Sequence, residues 1–314
     1  MSVIDVNNVT KDYGHQRGIF DVDFHVNEGE VFGFLGPNGA GKTTTIRHIM
    51  GFSKPQKGST SVLGMESYKN YYKILEDVGY LPGEVALPSG LTGTEFIKMM
   101  QGLRKSNKQE YLQSLLDRFE LDPSGDMKRM SLGVKRKLAV VTAFMDDPKV
   151  LILDEPTSGL DPIMQKVFID FILEEKKRGK TILLSSHIFH EIDATCDRIA
   201  IIKDGRIVSE FIADELKHNV NKVYKIKFKN SSDYYKFIIL GYDIPYKNDD
   251  KLEVQANVND KNINKLMVDL STLEVQSFTE EVFSLEDFFM KFYKEDRHFE
   301  GVTANEKIRF KKRK

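Results

Sequence analysis

Residues 36–43 read Gly36-Pro37-Asn38-Gly39-Ala40-Gly41-Lys42-Thr43, a complete G-x-x-x-x-G-K-T run. Glycines in such a run let consecutive backbone N–H groups turn toward one anion. Lys42 adds a point charge near the β- and γ-phosphates of a nucleotide, and the Thr43 hydroxyl can ligate Mg²⁺. Further along, Val150-Leu151-Ile152-Leu153 delivers two adjacent acids, Asp154 and Glu155. Asp154 is placed to hold a Mg²⁺ shell, and Glu155 to accept a proton from an attacking water. Ser185-Ser186-His187 closes another apolar run, where His187 can hydrogen-bond a γ-phosphate or that water. Ser131-Leu132-Gly133-Val134-Lys135 offers a hydroxyl, a glycine for close backbone approach and a helix start with partial positive charge. Those features suit a γ-phosphate, although the same five residues also read as a plain helix cap. Ser158-Gly159-Leu160-Asp161 can carry a carboxylate across a subunit boundary. Tyr13, in Lys11-Asp12-Tyr13-Gly14, is an aromatic able either to stack on a purine or to pack at an edge.

These residues need a scaffold, and the apolar pattern predicts one. Residues 3–35 alternate apolar and polar positions (Val3, Asp5, Val9, then Phe20, Val22, Phe24, Val26), as antiparallel strands do. Val31–Leu35 is a short buried strand before the phosphate loop, and Thr44–Met50 is a helix after it whose N-terminus faces the phosphates. Gly58–Gly64 reads as another strand. Over about 84–147 the period becomes helical. Thr92 and Glu95 have capping-box spacing ahead of Phe96, Ile97, Met100 and Leu103. Tyr111, Leu112, Leu115, Leu116 and Phe119 form a second apolar face, and Ser131 caps a third helix. This stretch is a helical insertion in an α/β frame, so its Ser131 helix can be presented to the phosphate loop of a second copy of the protein.

Val150–Asp154 and Thr181–Ser185 are continuous apolar runs suited to central parallel strands, with Met164–Lys177 as the crossover helix between them. Arg198–Lys203 and Arg206–Glu210 read as a hairpin around Asp204-Gly205. Composition shifts near Asn219. The division predicted is an α/β P-loop domain over 1–218 and a small α+β domain over 219–314. The second contains strands at 223–229, 251–257 and 273–278 and helices at 231–239, 259–269 and 284–294, a ferredoxin-like arrangement being one way to close it. It ends in a basic tail, Lys307–Lys314. That tail reads as a solvated end, with contact to anionic lipid as the alternative.

Composition limits the function classes. Lys and Arg together number 46 against 47 Asp and Glu, a net charge of −1, which does not point to a nucleic-acid partner. A single cysteine, Cys196, excludes an intramolecular disulfide, and its apolar neighbours favour a packed side chain over a reactive thiol. No apolar run approaches the length needed to cross a bilayer, and the start lacks a secretion signal. The expectation is a soluble protein of a reducing compartment. Any membrane role would need spans supplied by another chain.

Taken in order, Tyr13, Gly36–Thr43, Ser131–Lys135, Val150–Glu155, Ser158–Asp161 and His187 resemble the ATP-binding subunit of an ATP-binding cassette (ABC) transporter over residues 1 to about 218. The resemblance implies ATP and Mg²⁺ as cofactors. Tyr13 would stack on adenine, and Gly36–Thr44, with Thr44 added to the loop itself, would bind phosphates and metal. Ser131 and Gly133 would close on a partner's γ-phosphate. Glu155 would be the catalytic base, His187 the switch histidine, and Asp161 would signal across the dimer. Implied partners are a second copy or a paralogous ATPase, and a separate permease. Implied location is the cytoplasmic face of the cell membrane. Two departures stand out. Family members usually read Leu-Ser-Gly-Gly-Gln where this chain has Met130-Ser131-Leu132-Gly133-Val134, and commonly have Gln where Gly83 stands, followed here by Glu84. Together with the extra domain, these look like the bacterial drug- and antibiotic-export subgroup. An importer, a non-transport ABC ATPase and an ATP-sensing module are the other readings.

Overall fold

The structure is a computed structural model describing residues 1–104, 108–214, 221–281 and 285, 286, 289 and 290. The chain forms two compact units, the first running from Met1 to Ala213 and the second beginning at Asp214.

In the first unit, β1 (Ser2–Asp12) and β2 (Gly18–Asn27) form an antiparallel pair. The third strand, β3 (Val31–Leu35), does not extend that pair. The antiparallel reading of residues 3–35 therefore ends at Asn27. All five β3 residues are buried, as a strand covered on both faces requires. After β3 comes α1 (Lys42–Ile49). Then β4 (Lys57–Val62) and the two-residue β5 (Met65–Glu66) complete a four-stranded antiparallel sheet of order β2-β1-β4-β5. Next are α2 (Ser67–Asp77), β6 (Val78–Leu81), α3 (Gly93–Arg104), α4 (Gln109–Arg118) and α5 (Leu132–Phe144). The capping box at α3 is reciprocal. The Glu95 carboxylate accepts from the Thr92 N–H at 2.7 Å, and the Thr92 hydroxyl accepts from the Glu95 N–H at 3.2 Å.

The remaining elements are β7 (Val150–Asp154), α6 (Pro162–Lys177), β8 (Thr181–Ser186), α7 (Phe189–Thr195), β9 (Arg198–Lys203) and β10 (Arg206–Ile212). They build a six-stranded sheet of order β10-β9-β3-β8-β7-β6. Every neighbouring pair is parallel except the β9–β10 hairpin. One core joins the two sheets and α1: Phe24 of β2 stacks on Phe32 of β3 with centroids 5.1 Å apart, and Ile46, Ile49, Ile152 and Leu183 fill the remainder. Each such side chain contributes about 1.5–3 kcal/mol by leaving water. This rigid backing holds the ends of β3, β7 and β8. In register, Leu35 of β3 is level with Ser186 of β8, and Asp154 of β7 with Ser185. Three loops carrying chemistry thus leave the same carboxyl edge of the sheet, side by side.

The second unit runs β11 (Asn221–Phe228), α8 (Ser231–Ile238), β12 (Asp243–Asn248), β13 (Glu253–Asn259), α9 (Ile263–Ser271) and β14 (Val275–Glu281). Its antiparallel order, β12-β13-β11-β14, is that of a ferredoxin-like β-α-β-β-α-β unit. Tyr224, Ile226, Phe228, Val254 and Ala256 pack under Tyr234, Phe237 and Leu266 of the helices. The sequence pattern omits β12, because Pro245 interrupts it. The structure puts that proline on an outermost strand, where the register shifts between Asp243 and Tyr246. The helix expected over 259–269 begins later, at Ile263, after a turn of 3₁₀ helix over Asp260–Asn262. The helix expected over 284–294 falls largely, and the basic tail wholly, outside the described residues.

Candidate nucleotide site

Between β3 and α1 the loop of residues 36–41 folds back on the sheet. The Gly36 N–H donates to the Ser186 carbonyl at 3.3 Å, and the Gly205 N–H donates to the Ala40 carbonyl at 2.9 Å. Gly41 has φ +112° and lies where a Cβ would meet Ile19 at 2.8 Å, so both its conformation and its surroundings require glycine. α1 starts at the next residue without any side-chain cap, leaving its first N–H groups for the loop.

Lys42 is buried and donates to the Gly36 carbonyl at 2.5 Å and the Pro37 carbonyl at 3.1 Å. It also pairs with Glu155 at 2.9 Å. The adjacent Thr43 hydroxyl donates to Asp154 at 2.7 Å, and the Ser185 hydroxyl donates to the other Asp154 oxygen at 2.5 Å. Glu155 stands just past the end of β7 with φ +49°, a left-handed conformation uncommon for a residue with a side chain. Its N–H donates to the Ser185 carbonyl at 3.0 Å. That turn lets consecutive acids meet consecutive loop residues, Asp154 with Thr43 and Glu155 with Lys42. The second Glu155 oxygen lies 2.5 Å from His187 Nδ1. Thr43 and Asp154 bring hard oxygen donors together, the donor chemistry that Mg²⁺ takes. Lys42 lies among carbonyl and carboxylate oxygens, as a phosphate-binding cation would.

Not all of the expected residues converge. The cluster comprises Gly36, Pro37, Lys42, Thr43, Asp154, Glu155 and His187, with Asn38, Gly39, Ala40, Gly41 and the half-buried Thr44 in the same loop and helix start. Tyr13 is 58% exposed just beyond β1, with the Lys11 ammonium 5.7 Å from its ring centre. Ser131 caps α5, its hydroxyl accepting from the Val134 N–H at 3.4 Å, and Gly133 lies where a Cβ would be 3.2 Å from the Gly159 carbonyl. Asp161 caps α6, accepting from the Ile163 and Met164 N–H groups at 3.0 Å each. Among the described residues, no hydrogen bond or ion pair joins Tyr13, Ser131, Gly133 or Asp161 to the phosphate loop.

Three groups of this site escaped the sequence reading. Ser185 holds Asp154, a role hinted at only by a serine pair closing a buried strand. Glu191 is buried, accepts from the Ser186 hydroxyl at 2.6 Å and has its carboxyl pushed up to about 7, chiefly by burial. Arg136 is buried as well, and nothing distinguishes it in sequence from Lys135 and Lys137 beside it. Cys196 is packed against Gly33, and burial pushes its thiol up to about 12, in keeping with a packed rather than reactive side chain.

Residues 19–158 match the family described as ABC transporter. The bacitracin transport ATP-binding protein BcrA of Bacillus licheniformis is 32% identical over 92% of this chain and 97% of its own length. The chain belongs to the ABC transporter ATPase family. Nod factor export ATP-binding protein I of Rhizobium etli is 34% identical, over 67% of this chain and 68% of its own length. A solved ATP-binding subunit of an ABC transporter superposes with a TM-score of 0.63 at 31% identity, over 69% of this chain and 92% of that one. The matched family region spans the phosphate loop and the acid pair of β7, which stand on the sheet edge described above. Among the described residues, no helix is long and apolar enough to cross a membrane.

Proposed function

We propose that this ABC protein hydrolyses ATP to drive a separate membrane permease, in the direction of export, while docked on the cytoplasmic face of that permease. Two copies, or this chain and a paralogous ATPase, would close around two ATP molecules. Ser131 and Gly133 of one would complete the γ-phosphate site of the other, with Tyr13 against the adenine and Asp161 at the subunit boundary. The exposed positions of Ser131 and Tyr13, away from the phosphate loop contacts of their own chain, favour that arrangement. The names of the bacitracin-transport and Nod-factor-export relatives favour an efflux role.

The observation that carries the chemistry is the Glu155 carboxylate, held between Lys42 at 2.9 Å and His187 at 2.5 Å. An entering γ-phosphate exchanges with Glu155 for the Lys42 ammonium. Glu155 then stands beside the phosphate to take a proton from water, and His187 orients that carboxylate and the γ-phosphate oxygens. Thr43 and Asp154 would hold Mg²⁺, which would supply neutralisation of the phosphate charge. Glu155→Gln should lower the ATP turnover number by about 10²–10⁴ while ATP affinity stays within a few-fold. Phosphate release close to the wild-type rate in that variant would remove Glu155 from the base role.

A further inference from the structure

Arg136 lies one turn into α5, only 3% exposed, and among the described residues has no carboxylate within ion-pair distance. Burying a guanidinium without a contacting counter-ion is costly, so its hydrogen bonds must offset much of that cost. All of those found go to backbone carbonyls. Nε donates to Ser158 at 2.9 Å, Nη1 to Pro82 at 2.9 Å and Nη2 to Gly83 at 2.5 Å. The two segments it grips are remote in sequence, yet each abuts one of the paired acids. Gly83 lies beside Asp154, so close that a Cβ there would stand 2.8 Å from the Asp154 Oδ2. Ser158 donates its N–H to the Glu155 carbonyl at 3.1 Å. Burial pulls the guanidinium's pKa down, and the charges of Asp154 and Glu155 oppose that.

A planar fork of N–H donors can hold three carbonyls in fixed directions, whereas one flexible ammonium cannot. α5 is a continuous helix capped by Ser131, and Gly133 in its first turn already lies against the Gly159 carbonyl. One rigid element therefore carries Ser131 at its end and, five residues on, the side chain gripping both loops.

We propose that Arg136 is a positioning residue, a clamp that makes α5, the 82–83 peptides and the Ser158 peptide move as one body. Its consequence for turnover rests on the ATPase reading above. Any displacement of Ser131 then reaches the neighbours of Asp154 and Glu155 together. The link runs through main-chain carbonyls, so it needs no side chain at position 83.

The test uses the full chain with Arg136→Lys, which keeps the charge, and Arg136→Gln, which removes it. Amide hydrogen exchange without nucleotide should show segments 82–86 and 157–161 losing protection together in both variants, with α1 unchanged. ATP turnover should fall roughly ten- to a hundredfold in kcat, with KM within about twofold, because geometry rather than nucleotide contact is disturbed. Arg136→Lys should remain nearer to Arg136→Gln than to wild type. Full turnover and full protection in Arg136→Lys would overturn the clamp, as would loss of protection in only one segment. If Arg136→Gln does not fold, Arg136→Lys decides alone. If the wild type releases no phosphate from ATP, the ATPase reading falls, and the nucleotide-free exchange still decides on the clamp.

Discussion

Gly83→Ala adds a single methyl group, and its effect can be worked from distances. The backbone at Gly83 is outside the left-handed region, so alanine brings no conformational strain there. Its Cβ would, however, stand 2.8 Å from Asp154 Oδ2 and 3.1 Å from Asp154 Cγ, closer than van der Waals contact allows. Asp154 cannot swing aside freely, because its two oxygens accept from Thr43 at 2.7 Å and Ser185 at 2.5 Å. The loop cannot retreat freely either, because Arg136 holds the Pro82 and Gly83 carbonyls. Relief therefore costs one hydrogen bond to a charged group, about 1.5–3 kcal/mol, or roughly ten- to a hundredfold in an equilibrium that needs Asp154 in place. A Mg²⁺ titration of ATP turnover should show half-saturation displaced upward by that factor, with the thermal midpoint lowered by several degrees. Gly83→Gln, which installs the residue common in the family, should impair turnover too. Unaltered Mg²⁺ dependence in Gly83→Ala would refute the reasoning.

Two buried groups should shape stability against pH, with opposite signs. Burial raises the Glu191 carboxyl from 4.5 to about 7, so the folded chain keeps a proton that the unfolded chain has released. Stability should decline as pH rises from about 4.5 through 7, by about 3 kcal/mol in all. Glu191→Gln should flatten that decline in urea midpoints taken at pH 5 and 8. His48 is fully buried; its Nδ1 donates to the Ser53 carbonyl at 2.7 Å, its Nε2 has no hydrogen-bond partner among the described residues, and burial holds its pKa below the ordinary 6.5. The unfolded chain therefore takes up the proton first, and stability should fall as pH drops below about 6.5. In the Glu191→Gln background, where the opposing titration is gone, urea midpoints between pH 7 and 5 should show that fall, and adding His48→Leu should remove it.

The chemistry of the site was legible in the sequence wherever it depends on consecutive residues. Glycine spacing, a lysine and a threonine describe a phosphate loop without reference to the rest of the chain. An apolar run ending in two acids describes a buried strand and its exit. The reading ran out where remote segments meet. Nothing about Lys42 alone says that Glu155 is its partner, and nothing about Arg136 says that a residue flanked by lysines on a helix will be enclosed by three carbonyls. Glu191 looked like any helical acid until α7 packed it inward. In the second unit the alternation of Tyr224, Ile226 and Phe228 announced a strand, whereas Pro245 masked one. Proline signals a break by its missing N–H, and only the sheet order reveals that no partner wanted that donor.

The same sheet order bears on how copies of this protein can meet. In the second unit β12 and β14 lie outermost among the described strands. One rim presents Pro245, which has no N–H to give, beside exposed Lys247; the other presents the exposed acids Glu280 and Glu281. Imino acid and charge are both poor templates for adding a further strand. Zippering of one unit onto another along these margins is thereby discouraged, and self-association through this unit would have to use its faces.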